Sequence, residues 1–247
     1  MSENAILVRD LVKQFGPVTA VDRLNFAIPR GTCVGLLGGN GAGKTTTIAM
    51  LLGLVTPTSG NITVLGHDMA HDRFTALARM NFTSPYVDLP HRLTVWENLS
   101  VYARLYGVAD VAGRIDELMV QFDLTALRDR PSGKLSAGQK TRLGLAKALI
   151  NDPDVLLLDE PTASLDPDTA DRLRSALEAY RTTHNCTILM ASHNMLEVER
   201  MCSHVLMMKK GKLVDEGSPA ALIAKYGRAN LEAVFLAIAR GEEENAA

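Results

Sequence analysis

The period of the apolar residues changes along this chain, and the changes divide it. At the start they come as short runs or as strict alternation: residues 5–8 are a continuous apolar run, and Leu24, Phe26 and Ile28 alternate with polar neighbours up to Pro29-Arg30-Gly31. Patterns of this length predict strands, here a small antiparallel layer. Residues 33–37 form another short run that ends in a glycine cluster, and 44–54 take helical spacing until Thr56-Pro57-Thr58-Ser59-Gly60 stops them. Short strands are expected at 62–65 and 80–83, then helices at 94–106, 114–122 and 139–150. From residue 155 strands and helices alternate: strand 155–158, helix 168–182, strand 187–191, helix 195–201 and strand 204–208. Such alternation implies a parallel sheet covered on both faces. The Lys210-Gly211-Lys212 turn predicts a closing hairpin, followed by short helices at 219–225 and 231–240 and a solvated acidic tail.

Composition narrows the function classes. The chain has 247 residues with 26 Lys and Arg against 28 Asp and Glu, so it lacks the basic excess expected of a protein that holds nucleic acid by neutralising phosphates. The longest apolar stretch, 48–55, is far short of the ~20 residues that span a bilayer. Met1-Ser2-Glu3-Asn4 opens the chain without a secretory pattern, so the expected location is cytoplasmic. Cys33, Cys186 and Cys202 are widely spaced and read as buried thiols, not as a disulfide framework or a zinc site.

The chemistry starts at Gly38-Gly39-Asn40-Gly41-Ala42-Gly43-Lys44-Thr45, followed by Thr46, between a predicted strand and a predicted helix. This is the phosphate-loop pattern. Glycines let backbone N–H groups curl around phosphate oxygens, and the helix N-terminus adds its positive dipole end. Lys44 reaches the terminal phosphates, while Thr45 offers a hydroxyl to magnesium. The strand at 155–158 delivers Asp159 and Glu160 at its carboxyl end, the edge where open α/β sheets place ligands. Asp159 is a candidate magnesium ligand and Glu160 a candidate for polarising the attacking water. His193 follows a third such strand. His67 and His71, four apart, sit in a turn-like stretch with Asp68 and Asp72 and read as loop histidines. Trp96 reads either as helix core or as the edge of a groove for a partner's helix.

Many phosphate-loop enzymes share those parts. Here Leu135-Ser136-Ala137-Gly138-Gln139 stands between the loop and the carboxylate strand, with Ala163-Ser164-Leu165-Asp166 and His193 following. That order resembles an ABC-type ATPase, over nearly the whole chain. The resemblance implies an α/β P-loop NTPase core with a mostly parallel sheet, an N-terminal antiparallel β layer and a helical insertion. One ABC ATPase domain is expected, with its core at about 1–84 and 151–217, the helical subdomain at about 85–150, C-terminal helices at about 218–240 and the tail at 241–247.

The resemblance also implies site roles. Two such domains face head to tail, so Ser136, Ala137, Gly138 and Gln139 serve the partner's nucleotide and Asp166 lies in the loop at the dimer seam. Phe15 matches the aromatic that stacks on adenine, with a core Phe beside a turn as the alternative. His193 matches the histidine at the γ-phosphate, and Glu160 the catalytic carboxylate. ATP and Mg2+ are the implied cofactors. The implied partners are a second ATPase subunit and a separate membrane permease, with no nucleic acid, and the chain is expected on the inner face of the membrane. The pattern looks most like ATPases of drug, ion or glycolipid exporters; a soluble ABC ATPase for cofactor assembly is the alternative. One position departs: Ser84 or Pro85 stands where the family usually has Gln, and Asn81 lies too early to replace it. Because Lys44, Asp159, Glu160 and His193 are all present, turnover is expected despite the departure.

Overall fold

The computed structural model describes residues 3–84, 88–163 and 165–240; Pro85, Ser164 and the tail 241–247 lie outside them. The opening strands run much further than their apolar pattern. β1 (Asn4–Phe15) and β2 (Val18–Pro29) pair antiparallel, with register shifts that include one between Val8 and Leu11. Asp10 and Arg23 take positive φ beside that irregularity. A bulge moves the following side chains to the other face, so simple alternation survives only near the ends of the ribbon.

β3 (Cys33–Gly38) is buried along its whole length and runs into α1 (Lys44–Leu51), which stops short of the expected residue 54 as Gly53 turns to φ 66°. β4 (Ser59–Val64) adds to β1 antiparallel. β5 (His67–Asp68) and α2 (Arg73–Leu77) follow, both too short to leave a periodic signature. Then come β6 (Met80–Thr83), α3 (Val95–Leu105), α4 (Val111–Gln121), α5 (Ala137–Ala148), β7 (Val155–Asp159) and α6 (Pro167–His184). The chain continues through β8 (Thr187–Ala191), α7 (Met195–Met201), β9 (His204–Lys209), β10 (Lys212–Gly217), α8 (Pro219–Tyr226) and α9 (Leu231–Arg240).

These elements fall into two compact units, Met1–Leu77 with Thr187–Ala247, and Ala78–Cys186. In the first, the antiparallel sheet has the order β2-β1-β4-β5. β3 pairs parallel with β8 on one side and β9 on the other, and β10 closes the β9 hairpin. A strand flanked on both sides and packed on both faces must be apolar throughout, as Cys33, Val34, Leu36 and Leu37 are. In the second unit β6 and β7 pair parallel and α3, α4 and α5 bury Leu99, Ile115, Leu118, Leu143 and Leu145.

The division differs from the expected boundaries near 84 and 150. β6, β7 and α6 belong to the unit of the helices, because side chains bind that unit together. The Lys147 amine on α5 donates to Asn81 Oδ1 at 3.0 Å and to the Phe82 carbonyl at 3.3 Å. Asn81 Nδ2 donates to Asn151 Oδ1 at 2.8 Å, and Arg79 Nε to Asp154 Oδ2 at 2.7 Å.

The cysteines are buried thiols. Cys33 and Cys202 lie with sulfurs 3.7 Å apart, and that contact, with burial, pushes the Cys202 thiol well above its ordinary range.

Candidate functional site

In the first unit, β3 ends at Gly38 and the chain curls through Gly39 to Gly43 before α1 begins at Lys44. Two of the glycines are required by shape. Gly43, the N-cap, has φ 102°, and a Cβ there would stand 2.6 Å from the Ala20 carbonyl oxygen. Gly38 would meet the Met208 carbonyl oxygen at 2.6 Å. Gly41 also takes positive φ, at 74°. The loop is held from outside as well, since Gly211 of the β9–β10 turn donates its N–H to the Ala42 carbonyl at 3.0 Å. Lys44 curls back over the loop and donates to the Gly38 carbonyl at 2.5 Å and to Gly39 at 3.3 Å. Gly39, Asn40 and Thr45 are exposed and Thr46 is half-buried, while Thr47 turns inward onto the Gly43 carbonyl.

The start of α1 differs from those of six other helices. α3, α4, α5, α6, α7 and α8 each begin with a side chain accepting from a first-turn N–H; α1 has no side-chain cap and no acidic residue in its first turn. A helix start without a side-chain cap, at the positive end of the helix dipole, suits an anion.

Phe15 lies at the end of β1 with half its surface exposed and the Lys13 ammonium 4.8 Å from the ring centre, which excludes the core alternative. β8 is buried throughout and delivers Ser192, whose hydroxyl donates to Glu197 and accepts from the Asn194 N–H. His193 then emerges exposed.

The second unit carries the carboxylates. β7 is buried from Val155 to Leu158, and Asp159 and Glu160 emerge half-buried at its end. Glu160 takes φ 50°, a left-handed conformation that costs a non-glycine residue about 1–2 kcal/mol. At the end of a buried strand beside Asp159, it sets the direction in which the Glu160 side chain leaves the sheet. β6 pairs Thr83 with Leu158, so Ser84 comes abreast of Asp159, its Oγ 3.4 Å from Oδ2. Ser84, Asp159 and Glu160 line one cavity of about 150 Å³ with Ala137 and Thr141 of α5. These oxygen donors suit a hard cation that keeps water and phosphate oxygens in its shell, as Mg2+ does. Among the described residues no cluster of three or more His, Cys, Asp or Glu forms an all-protein cage.

Ser136 and Gln139 have local work as well. Ser136 Oγ accepts from the Gln139 N–H at 3.3 Å and Gln139 Oε1 accepts from the Ser136 N–H at 2.9 Å, a capping box on α5. Ser136 and Ala137 are exposed and Gly138 half-buried. Asp166 caps α6, and its bonds from the Thr169 hydroxyl and amide hold the carboxyl below its usual range.

The softer signals resolve locally. His67 Nδ1 lies 2.7 Å from Asp72 and His71 Nδ1 lies 3.1 Å from Asp68, so the two histidines address separate carboxylates. Trp96 packs half-buried beneath the Arg128 guanidinium, 5.2 Å from its ring. Asn81 is committed to Lys147 and Asn151, in accord with its exclusion from the missing glutamine's role. The Ser84–Asp159 pairing escaped the sequence reading. The signal for it was two parallel strands ending together, which single-strand patterns do not register.

Residues 21–163 match the ABC transporter family. The Nod factor export ATP-binding protein I of Paraburkholderia xenovorans is 41% identical over 230 residues, covering 91% of this chain and 74% of that protein. A solved structure of an ATP-binding subunit of an ABC transporter superposes with TM-score 0.88 at 25% identity, covering 95% of this chain and 99% of that one. The dimeric structure of a bacterial ABC transporter cassette shares the fold, with TM-score 0.80 at 22% identity over 86% of this chain and 98% of that one. With its phosphate loop, uncapped α1 and paired strand-end carboxylates, the chain belongs to the ABC transporter family, as one of its ATP-binding, ATP-hydrolysing subunits.

Proposed function

We propose that this chain powers an exporter, working as an ATP-bound dimer on a separate permease at the inner face of the cell membrane. The observation that carries the ATP chemistry is the start of α1, without a side-chain cap, behind a loop in which Gly38 and Gly43 leave no room for a Cβ. The loop amides from Gly39 to Gly43, with Lys44, hold the phosphates. Asn40 and Ala42 contribute main chain, Thr46 closes the first turn, and Phe15 offers its exposed face to adenine.

Thr45 of the first unit and Asp159 of the second are each an oxygen donor of the kind that Mg2+ takes, and the ion when bound would neutralise charge on the phosphate oxygens. Glu160 accepts a proton from the attacking water, and the left-handed backbone at that position fixes where its carboxylate starts. His193 contacts the γ-phosphate. Across the dimer, Ser136, Gly138 and Gln139 serve the partner's nucleotide, which requires the α5 cap to exchange a bond to its own amide for one to phosphate. Asp166 anchors the loop at the seam.

Export is supported by the exporter ATPase that is 41% identical over most of this chain. No helix among the described residues is long and apolar enough to cross a membrane, in keeping with a permease carried by another chain. A tagged chain expressed in its native cell tests this reading. It should co-purify from detergent-solubilised membranes with a polytopic membrane protein; recovery only in a soluble complex of fixed composition would overturn the transporter assignment in favour of cofactor assembly.

A further inference from the structure

Ser84 stands at a position the phosphate chemistry above does not use, and its surroundings give it a part in that chemistry. β6 and β7 run parallel in a register that pairs Thr83 with Leu158, so the next residue on each strand, Ser84 and Asp159, leaves the sheet side by side. Ser84 is only 8% exposed, and its Oγ lies 3.4 Å from Asp159 Oδ2. A hydroxyl has one proton and two lone pairs. Donation to Oδ2 biases the carboxylate's rotation. The separation exceeds the usual 2.7–2.8 Å for such bonds, as is common at catalytic positions before substrate arrives.

Other groups that could aim Asp159 from β6 are committed elsewhere. The Asn81 amide is engaged by Asn151, Lys147 and the Phe82 N–H. The Thr83 hydroxyl faces α5, where a Cβ on Gly144 would lie 3.1 Å from it. β6, which leads to Ser84, is tied to the last turn of α5 through Lys147.

We propose that Ser84 is a positioning residue for Asp159: its hydroxyl orients the carboxylate that addresses the nucleotide-bound magnesium. The inference rests on the reading of Asp159 as a metal-directed carboxylate. Ser84 touches neither phosphate nor the attacking water in this scheme, so its removal weakens metal dependence and leaves phosphate binding intact.

The test uses the full-length chain and a fluorescent ATP analogue, titrated with and without Mg2+, alongside the Mg2+ dependence of hydrolysis. Ser84→Ala should raise half-saturating Mg2+ about 10-fold, the low end for losing a hydrogen bond to a metal-directed carboxylate because this one is long, and leave metal-free nucleotide affinity within twofold of the parent. Ser84→Thr, which keeps the hydroxyl, should restore the parent value. Asp159→Asn should raise half-saturating Mg2+ by more than either variant. The proposal is overturned if Ser84→Ala leaves the Mg2+ dependence within twofold of the parent while Asp159→Asn shifts it, or if Ser84→Ala weakens metal-bound and metal-free nucleotide equally. An Asp159→Asn variant with parental Mg2+ dependence would overturn the underlying reading of Asp159 as well.

Discussion

Each compact unit begins one helix where phosphate chemistry is proposed, and the two beginnings are built on opposite principles. α1 starts behind Gly43, whose missing Cβ lets the backbone pass the Ala20 carbonyl and which offers no side-chain cap. α5 starts at Ser136, which satisfies the Gln139 amide while Gln139 returns a bond to the Ser136 N–H. The first helix is left incomplete for a ligand; the second is complete by itself and has to give something up to meet one. An uncapped start is a standing binding site, whereas a capped one can respond to a partner, because breaking the capping box costs only about 1 kcal/mol. The same contrast appears in backbone strain. Gly41 and Gly43 take positive φ freely, but Glu160 pays for it with a side chain its chemistry requires.

Substitutions at three positions probe this contrast. Gly43→Ala has the largest expected effect: with φ 102° and 2.6 Å to a backbone oxygen, the new Cβ distorts the loop, and ATP affinity should fall about 100-fold or more. Near-parental binding of a fluorescent nucleotide by that variant would show that α1 is not the phosphate site.

Ser136 separates capping from signalling. Ser136→Ala should lose about 1 kcal/mol of stability in urea unfolding, while Ser136→Asn, which can cap, should lose under about 0.5 kcal/mol. Both should weaken ATP-driven dimerisation about tenfold if the hydroxyl serves the partner's nucleotide. Parental dimerisation by Ser136→Asn would reduce Ser136 to a cap.

The smallest effect concerns the other end of α5. Burial pulls the Lys147 amine down to about 8 from its ordinary 10.5, so below pH 8 the folded chain carries the full penalty of holding it charged. The unfolded chain binds more protons between those values, so stability should rise with pH from about 8 to 10.5. Relative to Lys147→Met, the parent should gain on the order of 1 kcal/mol between pH 7 and pH 9.5 in urea melts. Parallel pH dependence in the two proteins would mean that the amine is better solvated than its burial against Asn81 and Phe82 implies.

Legibility followed the same contrast. The phosphate loop could be read because its constraint is local: glycine identity, a strand before it and a helix after it. The strand-end carboxylates were visible for the same reason, since β7 is an unbroken apolar run ending in Asp159 and Glu160. What stayed hidden depends on register and on partners distant in sequence. The reach of β1 and β2 was masked by bulges at Asp10 and Arg23. The grouping of β6 and β7 with the helices rests on Asn81, Lys147 and Asn151, and the neighbourhood of Ser84 and Asp159 on a parallel pairing 75 residues apart. The capping role of Ser136 is legible in the Ser-x-x-Gln spacing, because that motif too is local.

The central claim is that Glu160 drives hydrolysis in an ATP-bound dimer that opens when turnover occurs. Glu160→Gln keeps the shape and removes the base. Light scattering of that variant with ATP and Mg2+, beside its hydrolysis rate, tests the claim most directly. The account predicts a stable dimer, parental nucleotide affinity and hydrolysis reduced about 100-fold or more. A variant that stays monomeric with ATP while the parent hydrolyses normally, or one that hydrolyses at the parental rate, would contradict it.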